Sequence, residues 1–341
     1  MHPFMYVVAN SINEAIELSH DRPDSRFLAG GTTLVDLMKS GPERPSLVID
    51  INQLNVLTSI EHSDEPDALR IGALSRMSDV AAHMGVRQSC PAVAESLLFV
   101  ASGQLRNMAS LGGNLLQRTR CLYFRDRSFA CNKREPGSGC SAINGENRNL
   151  AVLGISPHCI ANYPGDFAVA LTAFDGVIHT SSSSGNRSIP ARQFYTLPGD
   201  RPHIENVLEP GELITHIVVP LSPASKNSHY LKVRDRASYE FASVSVAAAM
   251  ELEADGTIAD VRVALGGLAA IPWRAIATER ILLGKRFDDA ATIKRATDAV
   301  LSDAKPQSHN SYKISQARAA IPRGLRIVAS IAKSALAQKG S

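Results

Sequence analysis

Residues 26–41 read RFLAGGTTLVDLMKSG, which predicts a strand, a glycine turn and a helix in succession. Residues 26–29 predict a short buried strand, and the glycine pair at 30–31 ends it. Over 32–38, apolar residues recur at helical spacing, and a threonine hydroxyl is placed to cap the helix start. A strand, a glycine turn and a helix N-terminus together favour anion binding, because backbone N–H groups and the helix dipole point at the ligand. A plain strand-to-helix turn would show the same pattern.

A second segment, ASGQLRNMASLGGNLLQ at residues 101–117, offers similar chemistry. Its glycine pair at 112–113 exposes backbone donors, Ser110 adds a hydroxyl and Asn114 an amide, and Arg106 suits a phosphate or a carboxylate. Two such loops, far apart in the chain, suit an extended ligand such as a dinucleotide. The G-x-G-x-x-A match at 137–142 has no strand before it, so we attribute it to chance.

Four of the five cysteines fall within residues 118–160: Cys121, Cys131, Cys140 and Cys159. Four thiolates are the ligand set of a [4Fe–4S] cluster. Basic residues outnumber acidic ones over 118–149, and cations stabilise an anionic cluster. From spacing alone, zinc, two disulfides and unrelated thiols stay open. However, no close C-x2-C pair is present and no secretory signal segment opens the sequence. Cys90, before an apolar helical run, is predicted to be a packed core residue.

Composition places the chain among ordinary globular proteins. It has 341 residues, 44% apolar and 20% charged, which suggests two or three domains with a large core. The net charge of +3 gives no indication of a nucleic-acid partner. The longest apolar run, near residues 241–250, is too short to span a bilayer, so we expect no membrane insertion.

Several long motifs resemble one protein family. FLAGGTTLVDLMK, ASGQLRNMASLGGNLLQ and YPGDFAVALTAFD occur in the order seen in FAD-binding subunits of molybdenum hydroxylases, the xanthine dehydrogenase and carbon monoxide dehydrogenase family. The cysteine stretch, residues 118–160, is similar to the corresponding segment in the FAD subunits of bacterial periplasmic aldehyde oxidoreductases, which carry an extra [4Fe–4S] insertion. KVRDRASYEFASVSVAA at 232–248 and VALGGLAAIPWR at 263–274 match the same subunits. The resemblance runs from the first strand to near the C-terminus.

The resemblance implies an α+β fold. A two-part PCMH-type FAD-binding domain would occupy residues 1–222, with the iron–sulfur loop insertion at 118–160. A smaller α/β C-terminal domain of the carbon monoxide dehydrogenase flavoprotein type would follow at 228–338. The residues themselves support this division: 220–228 is rich in Pro and Ser, 230–260 alternates like antiparallel strands, and three helical patterns follow over 275–337. Further predictions are a capping box at Ser11–Glu14, strands at 47–51 and 69–71, and a helix over 93–101.

The resemblance also assigns roles to single residues. The FAD pyrophosphate would lie on the backbone of Leu28, Ala29, Gly30, Gly31, Thr32, Thr33 and Leu34. The flavin side of the cofactor would contact Ala101, Ser110, Gly113 and Asn114, and Ile214 would pack on the ring system. Asp166 would lie near the ribityl chain or ribose, or cap a helix, or both. Lys232 would stabilise the anionic reduced flavin, unless it is a solvated lysine on an edge strand.

By resemblance, the chain is an electron-transfer flavin subunit of a molybdenum-dependent aldehyde oxidoreductase. A molybdopterin-binding large subunit would oxidise the aldehyde, and a [2Fe–2S] small subunit would pass electrons to FAD here, in a heterotrimer. We expect no catalytic residue on this chain. The alternatives are a hydroxybenzoyl-CoA reductase-like subunit and a zinc-stapled scaffold without redox function. We expect a periplasmic location by co-export with a signal-bearing partner, or a cytoplasmic one.

Overall fold

A small parallel sheet opens the chain in the computed structural model, which describes residues 1–64 and 66–339. Its strands, in the order β1-β3-β2, are β1 Met5–Val8, β2 Arg26–Leu28 and β3 Leu47–Asp50. Two helices connect them, α1 Ile12–His20 and α2 Leu34–Ser40. Ser11 caps α1, because its hydroxyl accepts from the Glu14 amide at 3.1 Å. The predicted capping box is confirmed only in this half, since the Glu14 carboxylate accepts from the Asn10 amide at 2.7 Å.

The start of α2 differs from the prediction. The helix begins at Leu34, and the Thr33 side chain makes no capping hydrogen bond. Thr33 has φ −110° and ψ −51°, a helical conformation, whereas a capping residue is usually extended so that its hydroxyl meets the first amides. The predicted hydroxyl cap is therefore wrong, and the first amides of α2 have no side-chain cap from this residue.

A five-stranded antiparallel sheet forms the second layer, in the order β4-β5-β8-β6-β7. Its strands are β4 Ile60–Asp64, β5 Asp67–Gly72, β6 Val177–Ser182, β7 Gly185–Pro190 and β8 Leu213–Pro220. The helices in this part are α3 Met77–Ala82, α4 Met84–Ser89, α5 Pro91–Leu98, α6 Gly103–Met108, α7 Leu111–Leu115, α8 Leu122–Arg125, α9 Phe167–Ala173 and α10 Ala191–Phe194. The helix predicted over 93–101 ends at Leu98, and soon afterwards Ala101 turns into the left-handed region with φ 45°.

The C-terminal part is an antiparallel sheet covered by helices, as predicted. Its strands, in the order β12-β11-β10-β9, follow the short helix α11 Pro223–Lys226 and are β9 Ser228–Val233, β10 Val244–Leu252, β11 Ile258–Gly266 and β12 Trp273–Arg274. Three helices complete it: α12 Ile276–Leu282, α13 Ala290–Val300 and α14 Tyr312–Lys339. Across residues 1–64 and 66–339, none of the helices combines the length and apolar character needed to cross a membrane.

The cysteine stretch packs between the N-terminal part, which contains the first two sheets, and the C-terminal sheet with its helices. The amides of Val152 and Leu153 both donate to the Leu268 carbonyl, at 2.8 and 3.0 Å. The buried Lys313 of α14 donates to the carbonyls of Asn149, at 3.1 Å, and Gly267, at 2.7 Å. Burial lowers the pKa of Lys313 to about 7. These contacts hold the second half of the stretch against the C-terminal sheet.

Candidate cofactor site

A cleft of about 890 Å³ runs between the first glycine loop, the 101–117 segment and the cysteine stretch. A volume of this size accommodates a large ligand. Most of the predicted FAD residues line it: Ala29, Gly30, Gly31, Thr32, Thr33, Leu34, Ala101, Ser110, Gly113, Asn114, Asp166 and Lys232. Leu28 and Ile214 are not among the lining residues, and Ile214 is buried in the apolar core instead.

Gly30 and Gly31 of the first glycine loop have different structural roles. Gly31 has φ 70°, in the left-handed region where glycine is strongly preferred. Gly30 lies so close to the second loop that a Cβ there would be 1.9 Å from the Met108 carbonyl oxygen. The absence of a side chain at residue 30 therefore lets the two predicted loops pack against each other along one cleft.

The second loop presents polar groups to the cleft. Ser110 caps α7 through its hydroxyl, which accepts from the Gly113 amide at 3.2 Å. Asn114 is buried, and among the described residues its Oδ1 has no hydrogen-bond partner. A buried acceptor without a partner is costly unless a ligand donates to it. Ala101 adopts a positive φ on the same wall, and such strain is often found at functional sites.

Asp166 and Lys232 form a buried ion pair on the cleft wall. Lys232 Nζ lies 2.7 Å from Asp166 Oδ2 and also donates to the Phe99 carbonyl at 3.0 Å. The hydroxyl of buried Tyr230 donates to Asp166 Oδ1 at 2.7 Å. Burial raises the pKa of Asp166 above its ordinary value, although the Lys232 ammonium and the Tyr230 hydroxyl oppose the rise.

The alternative roles predicted for these two residues, a helix cap for Asp166 and a solvated lysine for Lys232, are both wrong. Although Asp166 precedes α9, its side chain makes no capping hydrogen bond, because both carboxylate oxygens are engaged by Tyr230 and Lys232. Lys232 lies on β9, which is an edge strand, but its side chain is only 2% exposed. It is therefore not a solvated lysine.

A group of ion pairs that also lines the cleft was not predicted from the sequence. Arg118 donates to both Glu43 and Glu205, and Lys133 Nζ lies 3.1 Å from Glu205 Oε1. All four residues line the cleft. No local signal identifies the set, because its two carboxylates come from segments distant from both cations. Buried Tyr163 and Tyr195, whose hydroxyls are 3.0 Å apart, are a second pair that was missed.

The four predicted ligand cysteines lie together. Cys121, Cys131 and Cys159 are buried in one apolar cluster with Phe124, and half-buried Cys140 packs against it. Cys131 and Cys140 face each other in an antiparallel bridge, and Cys159 lines the cleft. Burial raises the pKa of Cys121 to about 12. Burial also raises the pKa of Cys159, and the Lys133 ammonium partly opposes this rise.

No metal site follows from this arrangement alone. Within residues 1–64 and 66–339, no three or more His, Cys, Asp or Glu side chains are grouped so as to hold a metal ion. All five cysteines are free thiols. The [4Fe–4S] ligand set therefore stays a prediction. Cys90 is fully buried away from this cluster, as predicted for a core residue.

The basic excess of the cysteine stretch has another explanation than a cluster. Arg118 and Lys133 are paired with glutamates, and Arg120 and Arg125 both pair with Asp36. Their charges are thus largely balanced by carboxylates from outside the stretch. The inference that these cations are present to neutralise a cluster is not supported by their contacts.

The chain matches two protein families in succession. Residues 2–222 match the family described as the FAD binding domain in molybdopterin dehydrogenase, and residues 229–328 match the CO dehydrogenase flavoprotein C-terminal domain. The chain is 44% identical to the aldehyde oxidoreductase FAD-binding subunit PaoB of Escherichia coli (strain K12), over 99% of this chain and 100% of that one. It is 30% identical to the glyceraldehyde dehydrogenase medium chain of Sulfolobus acidocaldarius, over 90% and 91% of the two chains.

Solved structures share the fold. A carbon monoxide dehydrogenase from Hydrogenophaga pseudoflava, which lacks the Mo-pyranopterin moiety of its cofactor, superposes with a TM-score of 0.75 at 24% identity, covering 96% of this chain and 98% of that one. Quinoline 2-oxidoreductase from Pseudomonas putida 86 gives 0.74 at 22% identity, covering 97% and 99%. The family matches and these structures confirm the predicted fold class.

Proposed function

We propose that this chain, which belongs to the FAD-binding subunits of the molybdopterin dehydrogenases, is the electron-transfer subunit of a molybdenum-dependent aldehyde oxidoreductase. Its membership makes it an oxidoreductase subunit of the xanthine dehydrogenase family. The observation that carries the proposal is the cleft itself. Two glycine loops, an unpartnered buried acceptor on Asn114 and a buried lysine meet there, and together they suit an anionic, hydrogen-bonding dinucleotide.

The residues of the cleft fit FAD. We propose that the backbone from Ala29 to Leu34 holds the pyrophosphate and that Ala101, Ser110, Gly113 and Asn114 contact the flavin side. Bound FAD would supply the exchange between single electrons and electron pairs. Lys232, held by Asp166, would place a fixed positive charge in a poorly hydrated wall. Leu28 and Ile214, which do not line the cleft, are left out of the proposed contact set.

We further propose that Cys121, Cys131, Cys140 and Cys159 ligate a [4Fe–4S] cluster. Their shared apolar cluster supports this, as does the position of Cys159 on the cleft. The thiolates of a four-iron cluster surround several atoms, so they stand further apart than the ligands of a single ion such as zinc. Because burial disfavours the bare thiolates of Cys121 and Cys159, deprotonation of these two thiols would accompany metal binding.

The proposed partners are based on the names of the relatives and on the character of the cleft. The relatives at 44% and 30% identity are named as a subunit and a medium chain of larger enzymes. The cleft suggests an electron carrier, so substrate oxidation would occur on a molybdopterin-binding large subunit, with a [2Fe–2S] small subunit as electron donor in a heterotrimer. The complex would be periplasmic, by co-export with a signal-bearing partner, or cytoplasmic.

The absorption spectrum and the activity of the purified protein test these proposals one by one. The chain should carry flavin absorption bands and a broad iron–sulfur shoulder, and acid should release FAD. Alone it should not oxidise aldehydes, whereas co-expression with both partner subunits should yield a complex that turns over with a dye acceptor. A colourless protein would contradict the flavin assignment. Flavin without iron would contradict the cluster alone, and aldehyde oxidation by the isolated chain would contradict the subunit role.

A further inference from the structure

We infer that Glu205 couples the cysteine stretch to the FAD cleft, so that flavin binding and thiol ligation depend on each other through this carboxylate. The inference rests on the proposed function for the identity of the two ligands. It adds a dependence of each site on the other that neither the proposed FAD contacts nor the proposed cysteine ligands require. Its basis is the position of Glu205 between two cations of the cysteine stretch.

The geometry joins three separate segments. Glu205 Oε2 accepts from Arg118 Nε, and Glu205 Oε1 lies 3.1 Å from Lys133 Nζ. Arg118 precedes Cys121 by three positions, and Lys133 follows Cys131 by two. Arg118 also donates to Glu43, which pairs with Arg26 of β2 at 3.3 Å. The ion pairs therefore run without interruption from Arg26 on β2, the strand before the first glycine loop, to Lys133 in the cysteine stretch.

These ion pairs have little exposure to solvent, so the loss of one partner is energetically costly. The side chains of Glu43 and Lys133 are each 11% exposed, and those of Arg118 and Glu205 are 21% and 23% exposed. Burial alone would lower the pKa of Arg118, but the Glu205 and Glu43 carboxylates outweigh it and raise that pKa. Loss of Glu205 would leave two poorly solvated cations without this partner, which is far more costly than loss of a surface pair.

Glu205 belongs to the cleft and, through its ion pairs, is tied to the cysteine stretch. It lines the cleft, as do its two cationic partners and Cys159. Ordering the cysteine stretch around a ligand would fix Arg118 and Lys133, and through Glu205 it would fix the cleft wall. By thermodynamic linkage, flavin binding would then favour the ordered stretch equally.

A double-mutant cycle on FAD affinity tests the coupling. Cys140→Ser perturbs ligation without touching the cleft, because Cys140 does not line it. FAD is removed from the full chain and titrated back by fluorescence, in wild type, Cys140→Ser, Glu205→Gln and the double variant. We expect Cys140→Ser to weaken FAD binding roughly tenfold in wild type and to have little effect once Glu205 is replaced. Glu209→Gln replaces an exposed glutamate that also lines the cleft; it is the matched control and should leave the effect intact.

Hydrogen exchange provides a second measurement that needs no cysteine variant. Saturation with FAD should slow amide exchange across residues 118–135 in wild type and in Glu209→Gln, but much less in Glu205→Gln. Equal protection in all three proteins, or equal effects of Cys140→Ser in both backgrounds, would overturn the coupling while leaving the proposed function intact. A wild-type chain that binds no FAD would overturn both.

Discussion

Lys232 Nζ lies 2.7 Å from Asp166 Oδ2, and the two side chains are only 2% and 4% exposed. The pair joins β9 of the C-terminal sheet to the start of α9 in the FAD-binding part of the chain. Each residue was predicted separately to approach the flavin. The structure shows that they form one unit, in which the carboxylate holds the ammonium on the cleft wall.

Replacing Lys232 by Met should lower the flavin reduction potential. Without the cation, the anionic reduced form loses its electrostatic stabilisation, and the shift can be measured by reductive titration against reference dyes. The pKa of Asp166, already raised by burial, should rise further, so that its side chain takes up a proton. Breaking a buried pair should also reduce the free energy of unfolding by about 3–5 kcal/mol.

The control for this prediction is Lys226→Met, which removes an exposed lysine close by in the chain. It should leave both the potential and the stability unchanged. The double variant Asp166→Asn/Lys232→Met should recover much of the lost stability, since no buried charge is left alone, but not the potential. An unchanged potential in Lys232→Met would contradict the placement of Lys232 beside the flavin.

Gly31→Ala should weaken FAD binding at least tenfold while the iron content is largely kept. A Cβ at φ 70° costs about 1–2 kcal/mol and would lie 3.1 Å from Val35 Cγ2, which distorts the proposed pyrophosphate loop. Gly256→Ala is matched for strain, with φ 84° in a C-terminal turn that does not line the cleft. It should cost similar stability but no flavin. Full flavin occupancy in Gly31→Ala would refute the pyrophosphate assignment.

Cys131→Ser, Cys140→Ser and Cys159→Ser should each lose the iron–sulfur absorption and lower the thermal unfolding temperature. The stretch has little regular structure of its own, so metal ligation would contribute directly to its folding. Cys90→Ala should retain iron, because Cys90 is buried in a different core cluster. Iron analysis of each purified variant is the measurement. Wild type without iron, or iron-replete serine variants, would rule out these ligands.

The protein should lose stability as the pH falls from about 6.5 to about 4. The rings of His179 on β6 and His216 on β8 stack with centroids 4.2 Å apart. Burial, with the nearby positive charges of Arg70 and His179, lowers the pKa of His216 to about 4. The unfolded chain therefore binds this proton at higher pH than the folded one, so acid favours unfolding in that window.

Urea unfolding at several pH values measures this slope, and His216→Gln should make it shallower. His20→Gln, at an exposed position, reports the general effect of losing a histidine. Because the pair is partly exposed, the change should be modest. An identical slope in wild type and His216→Gln would show that the stacked pair is not responsible.

Some features of this protein follow from contiguous residues alone. The strand, glycine turn and helix at 26–41, the Ser11 cap and the three C-terminal helices were predictable because spacing and turn chemistry act over a few residues. The gathering of both glycine loops at one cleft also followed, since each carried the same anion-binding chemistry. The misplaced cap at Thr33 shows the limit, because a single backbone angle decides where a hydroxyl points.

The partners of the charged side chains became apparent only in the folded chain. The local count of basic residues suggested neutralisation of a cluster, yet Arg118 and Lys133 meet Glu205, and Arg125 meets Asp36. Likewise, Lys232 lies on an edge strand, where a lysine is ordinarily solvated, and it is buried because Asp166 and the Phe99 carbonyl accept from it. The physical reason is that periodicity and turn chemistry are local, whereas ion pairing and burial depend on segments that meet only in the folded chain.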